Sequence, residues 1–82
     1  MLDLEHREDV LKKVSKIKHQ AIKEQIKKQV EKIIENPEIG KPMRYNRKGT
    51  RELYVKPYRL AYAYFPEEGK LIFIDLYHKD EQ

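Results

Sequence analysis

The feature that most constrains this chain is a helical apolar pattern too long for the protein that carries it. Val10, Leu11, Val14, Ile17, Ala21, Ile22, Ile26, Val30, Ile33 and Ile34 recur at spacings of three and four. That is the period of a helix with one apolar face. Asp3 is placed to cap the start. Pro37 ends the pattern, and Asn36 before it is steered out of the helical region. A single helix over residues 4–36 would be about 50 Å long at 1.5 Å per residue. The whole chain has 82 residues, and the remainder is too small to cover that length. The pattern therefore predicts two helices, about residues 4–18 and 20–36, folded back near Lys18-His19-Gln20. One long helix is the alternative, and it requires an oligomer.

Beyond Pro37 the period changes. Pro37-Glu38-Ile39-Gly40-Lys41-Pro42 is rich in turn residues, and Gly49 marks another turn. Residues 50–56, 58–65 and 70–77 then read as strands. Pro57 makes the first connection tight, and Pro66-Glu67-Glu68-Gly69 makes the second a hairpin turn. Helices followed by an antiparallel meander predict an α+β fold: a helical hairpin packed on a twisted antiparallel sheet of three or four strands. Alternation assigns Leu53, Val55, Leu60, Tyr62, Tyr64, Ile72, Ile74 and Leu76 to the face against the helices. The outer face takes Glu52, Tyr54, Lys56, Arg59, Ala61, Ala63, Phe73, Asp75, Tyr77 and Lys79. Two alanines at its centre and cations at its rim predict an open, concave surface. One β-bulge would shift part of this assignment.

Length and composition narrow the classes. Eighty-two residues make one domain, 1–82. Such a chain buries only about 60–65% of its unfolded surface, so the core is thin. Apolar and charged residues each make up 39%, too apolar a mixture for a disordered tail. No apolar run approaches the roughly 20 residues of a membrane span. Residues 1–9 are acidic and polar, unlike a secretory signal. A soluble cytoplasmic protein is the expectation. With no cysteine, disulfides, thiolate metal sites and cysteine nucleophiles are excluded.

The net charge is +4, and most of it is local. Residues 41–59 hold Lys41, Arg44, Arg47, Lys48, Arg51, Lys56 and Arg59 against the single acid Glu52. All six tyrosines lie between residues 45 and 77. Arginine offers a planar fork for phosphate and stacks on bases, so its interleaving with tyrosine suits a nucleic-acid surface. The plainer reading is a basic protein whose tyrosines fill a sheet.

The chemistry is limited by what is missing. His6, His19 and His78 form no metal-ligand spacing, there is no glycine-rich phosphate loop, and the one serine, Ser15, has no triad around it. No metal or cofactor is expected. Metal-free RNA cleavage stays open, because the RNA supplies its own 2′-hydroxyl nucleophile. The protein then needs a base, an acid and cations for the phosphorane. His78, Tyr54, Tyr77, Arg59, Arg51 and Lys79 have suitable chemistry. Arg59 lies mid-sheet between Tyr58 and Leu60, where a charge needs a partner or a use. Asp75 and Glu52 share its predicted face.

These residues carry a resemblance. RELYVKPYRLAYAY (51–64), a short acidic turn and LIFIDLYHK (71–79), preceded by a helical hairpin ending in NPEIGKPMR (36–44), resemble the RelE/ParE superfamily of toxins from type II toxin–antitoxin modules. The likeness covers nearly the whole chain, and the Tyr-Arg-Leu-x-Tyr strand is its most specific part. Many members begin with an extra strand, and the short segment from Met1 to Glu5 leads us to expect it absent or vestigial here.

The resemblance implies a metal-independent, ribosome-dependent mRNA endonuclease that inhibits translation. Arg59 would stabilise the phosphorane, and His78, in a Tyr-His ending like that of YoeB relatives, would be the acid. Lys79 would support the phosphate, Tyr54 and Tyr77 would stack bases or assist proton transfer, and Arg44, Arg47, Lys48, Arg51 and Lys56 would hold RNA. The lysine pair of RelE's preceding strand falls at Glu52 and Tyr54, RelE's C-terminal tyrosine has no counterpart, and no residue matches a general base. The alternatives are a ParE-like DNA gyrase inhibitor and a catalytically inactive binding module of the same fold. A toxin of this kind implies a RelB-like cognate antitoxin, mRNA on the ribosome as target, and operator DNA reached only through the antitoxin.

Overall fold

A computed structural model describes residues 2–42 and 49–78. Strand β1 (Asp3–His6) leads into helices α1 (Glu8–Ser15) and α2 (Gln20–Glu35). The short edge strand β2 (Lys41–Pro42) follows, then β3 (Thr50–Val55), β4 (Tyr58–Phe65) and β5 (Lys70–His78). The five strands form one sheet in the order β1-β5-β4-β3-β2. The α+β class is as expected, but the sheet is larger and it is mixed.

The N-terminal strand corrects the expectation of an absent or vestigial one. Residues 3–6 pair in parallel with residues 70–73 of β5. The Asp3 and Arg7 amides donate to the Gly69 and Phe73 carbonyls at 2.7 and 3.0 Å. A Glu5–Lys70 ion pair of 2.8 Å bridges the same two strands. Half of β5 would otherwise present an unpaired backbone edge. The strand was invisible in sequence because all four of its residues are exposed, so no alternating pattern marks it. Helix α1 accordingly starts at Glu8, with Arg7 rather than Asp3 at its N-cap position. Glu8 and Asp9 in its first turn suit the positive end of the helix dipole.

The bend lies slightly earlier than expected. Helix α1 ends at Ser15, and the chain leaves the helical path through residues 16–19. No glycine or proline makes this turn. Ile17 does, by pointing into the core, where it is 7% exposed. The burial of one large apolar side chain, worth about 1.5–3 kcal/mol, holds the bend in place.

The core forms between the helices and one sheet face. Val10, Ile17, Ile26 and Ile33 meet Val55, Leu60, Tyr62, Leu71, Phe73 and Leu76. On β5 this corrects the face assignment. Ala61 pairs with Asp75, but Tyr62 pairs with Phe73, so Ile74 is an extra residue. That bulge reverses the parity of the first half of the strand. Leu71 and Phe73 therefore join the core, in place of Ile72 and Ile74. The β4–β5 turn closes with the Gly69 amide donating to the Pro66 carbonyl. Gly69 has φ +61° there, a conformation that favours glycine.

The connector after α2 is pinned to the sheet by two side chains. Tyr62 is fully buried. Its hydroxyl donates to the Pro37 carbonyl and accepts from the Gly40 amide, both at 2.8 Å. A Cβ on Gly40 would lie 2.6 Å from that hydroxyl, so only glycine fits. The Arg51 guanidinium donates to the Glu38 and Gly40 carbonyls at 2.9 and 2.7 Å. Tyr62→Phe removes both bonds, strands the buried Gly40 amide and is expected to cost about 1–3 kcal/mol in urea unfolding. Burial pushes the Tyr62 hydroxyl above its ordinary 10.0, against smaller opposing effects of the Gly40 bond and Arg51. The folded state holds this proton more tightly than the unfolded state. Stability is therefore expected to fall as pH rises above 10.0, and Tyr62→Phe should remove that part of the decline.

Candidate functional site

The helix-facing residues of β3, β4 and β5 are taken up by the core, so alternation leaves their neighbours on the outer face. Tyr54 pairs with Arg59, and Arg59 pairs with Tyr77, so the three form one row across the sheet. The adjacent row is Lys41, Glu52, Ala61 and Asp75. The two rows meet at Glu52. The Arg59 guanidinium donates to Glu52 Oε1 at 3.2 Å, and the Tyr77 hydroxyl donates to Glu52 Oε2 at 2.9 Å. The phenol crosses β4 to reach β3, and the small Ala61 leaves room beneath it. Ala61 and Ala63 are buried at 6% and 4% exposure, so the centre of this face is covered rather than open.

An open depression of about 410 Å³ lies beside this cluster, bounded by Ile39, Lys41, Glu52, Leu53, Tyr54 and Arg59. The pinned connector supplies Ile39 and Lys41. Tyr54 is half exposed. Arg59 and Glu52 are 30% and 26% exposed, accessible to a ligand but held in place. Asp75, the other candidate partner of Arg59, is instead engaged by Lys13 of α1 at 2.5 Å.

The structure brings Arg59, Tyr54 and Tyr77 together and separates them from His78. His78 pairs with Tyr58, one position along from the Arg59–Tyr77 pair, and so points to the opposite face. Its ring meets Tyr58 edge-on with centroids 5.5 Å apart. It lines a separate hollow with Lys13, Lys16, Tyr58 and Leu76 on the helix side. Arg51 holds the connector through backbone carbonyls, and Lys56 is exposed at the β3–β4 turn. Arg44, Arg47, Lys48 and Lys79 lie outside the described residues. Among the described residues no cluster of three or more histidines and carboxylates could hold a metal ion, and no helix is long and apolar enough to cross a membrane.

In the sequence Glu52 stands out as a departure from the family and as a candidate partner for Arg59, and Lys41 as one charge of a basic stretch; the structure adds both to the site. The signal for both was alternation. Glu52 shares the face of Tyr54 and Arg59, and Lys41 joins that face once β2 pairs with β3.

The family model described as the ParE toxin of type II toxin–antitoxin system, parDE, matches residues 4–82. The chain belongs to this toxin family. The ParE-family chain is also similar to solved RelE structures, consistent with the wider RelE/ParE superfamily. The isolated E. coli RelE toxin superposes with a TM-score of 0.78 at 23% identity, over 95% of this chain and 84% of that one. A chain of the intact E. coli RelBE toxin–antitoxin complex gives 0.76 at 25% identity, over 93% and 94%. An E. coli RelE mutant in complex with a RelB antitoxin peptide gives 0.71 at 25%, over 92% and 80%. No curated protein matches the chain.

Proposed function

We propose that this ParE-family toxin inhibits translation as a metal-independent, ribosome-dependent mRNA endonuclease. The observation that carries the reading is Arg59. Its guanidinium stands on the outer face, at the rim of an open depression, among groups that can accept and donate protons. A preorganised guanidinium is suited to the charge that develops on a pentavalent phosphorane. Tyr54 offers an exposed ring for stacking on a base, an interaction worth about 1–3 kcal/mol. The likeness to RelE supports the same reading.

A cognate antitoxin is the proposed partner, as RelE has in its complex with RelB. An apolar groove lies between β1, α1 and α2, with Leu4, Leu11, Val14, Val30 and Ile34 along it. Leu4 and Leu11 are 47% and 57% exposed. The apolar side of an amphipathic antitoxin segment would cover such a groove. Operator DNA would be reached only through that partner.

Two observations favour a second reading, ParE-like inhibition of DNA gyrase. The matching family model is ParE, and His78 faces the helices rather than Arg59. One pair of assays separates the readings. Purified toxin is added to ribosomes programmed with mRNA, and separately to gyrase with supercoiled DNA. Cuts at A-site codons are expected. Intact mRNA together with gyrase-dependent DNA breaks would replace the nuclease reading with the second.

A further inference from the structure

We propose that Glu52 is the general base of RNA cleavage; this inference rests on the nuclease reading above. Among the described residues, Glu52 is the acid of the outer face that borders the depression, since Asp75 is turned to Lys13. Its carboxylate is partly exposed and both oxygens are oriented, one by Arg59 and one by Tyr77. An ionised carboxylate has about four acceptor sites, and these two bonds occupy two of them. Capacity therefore remains for a ribose hydroxyl. The proton acceptor and the phosphate-binding cation are in direct contact at 3.2 Å. A 2′-oxygen and the phosphorus it attacks are themselves neighbours in RNA, so one nucleotide can engage both groups at once.

The step balances with these residues. Glu52 takes the proton of the 2′-hydroxyl, and the 2′-oxygen forms a bond to phosphorus. Arg59 holds the added charge. The bond from phosphorus to the 5′-oxygen breaks, and Tyr54 gives its proton to that oxygen. The products are a 2′,3′-cyclic phosphate and a 5′-hydroxyl, and solvent returns Glu52 and Tyr54 to their starting states. Tyr77 is a positioning residue that aims the carboxylate. Among the described residues, the charged and titratable groups facing Glu52 are Arg59, Tyr77, Tyr54 and Lys41. The 2′-hydroxyl requirement restricts the substrate to RNA.

The test is single-turnover cleavage of ribosome-bound mRNA across a pH series, with circular dichroism to confirm folding. Glu52→Gln keeps the size and polarity of the side chain and removes the base. It is expected to slow cleavage by about 10²–10⁴-fold and to flatten the acidic limb of the pH–rate profile, with ribosome binding unchanged. Tyr77→Phe should lower the rate less and keep that limb. Glu52→Asp retains a carboxylate and should recover part of the rate, which guards against a folding defect in the Gln variant. If wild-type toxin cleaves and Glu52→Gln does so at the same rate with the same profile, Glu52 is only a counter-ion for Arg59 and the proposal falls. If wild-type toxin cleaves nothing, the nuclease reading itself falls.

Discussion

Arg59→Ala is expected to abolish growth inhibition while leaving the protein folded. The side chain lies on the outer face, and among the described residues its polar partner is Glu52. Removing it opens no cavity in the core. The abandoned carboxylate is 26% exposed and keeps its bond from Tyr77, so it is not left as an unpaired buried charge. A partly exposed ion pair of this kind contributes about 0–1 kcal/mol. The effect on chemistry is much larger. Loss of a donor that stabilises transition-state charge costs about 10²–10³-fold in rate. The measurements are growth arrest on induction and ribosome-bound mRNA cleavage, with urea unfolding to confirm the fold. A folded Arg59→Ala protein that remains toxic would move the activity to another surface.

Ile33→Ala is expected to have the largest effect on stability. Ile33 is fully buried in α2, within the cluster that joins the helices to the sheet. Truncating such a side chain costs about 2–5 kcal/mol, through lost transfer free energy and a residual cavity. A protein of 82 residues has about 4–12 kcal/mol of total stability at 0.05–0.15 per residue. The substitution therefore removes a large share, and the urea midpoint should fall steeply. Leu11→Ala is the control. Leu11 is 57% exposed on the same pair of helices, and its truncation should shift stability by only about 0.5 kcal/mol. Similar losses at both positions would mean that the apolar groove is closed in solution.

How far the sequence reached can be followed residue by residue. The recurrence from Val10 to Ile34 gave the helical segments because burial of one face demands that period. Pro37 gave their end, because its ring is incompatible with a continuing helix. The meander of β3, β4 and β5 was legible from alternation and from the turns at Pro57 and Gly69. Strand β1 was not legible, because a strand held by backbone pairing to a neighbour needs no apolar residues of its own. The position of the bend was only roughly legible, because it depends on Ile17 reaching a core formed by distant strands.

The candidate site divides along the same line. Composition and alternation put Arg59, Tyr54, Tyr77 and Glu52 on one face, and that much belongs to the sequence by itself. Register is a property of paired strands, and it decided the rest. It set Tyr77 across β4 from Glu52, gave Arg59 to Glu52 while Asp75 went to Lys13, and turned His78 towards the helices. One extra residue at Ile74 changed which residues in the first half of β5 face the core. A local pattern cannot report such a shift, because the partner that defines it lies elsewhere in the chain. The tertiary structure alone determined which charges meet, since that depends on distances between strands rather than on the order of residues within one.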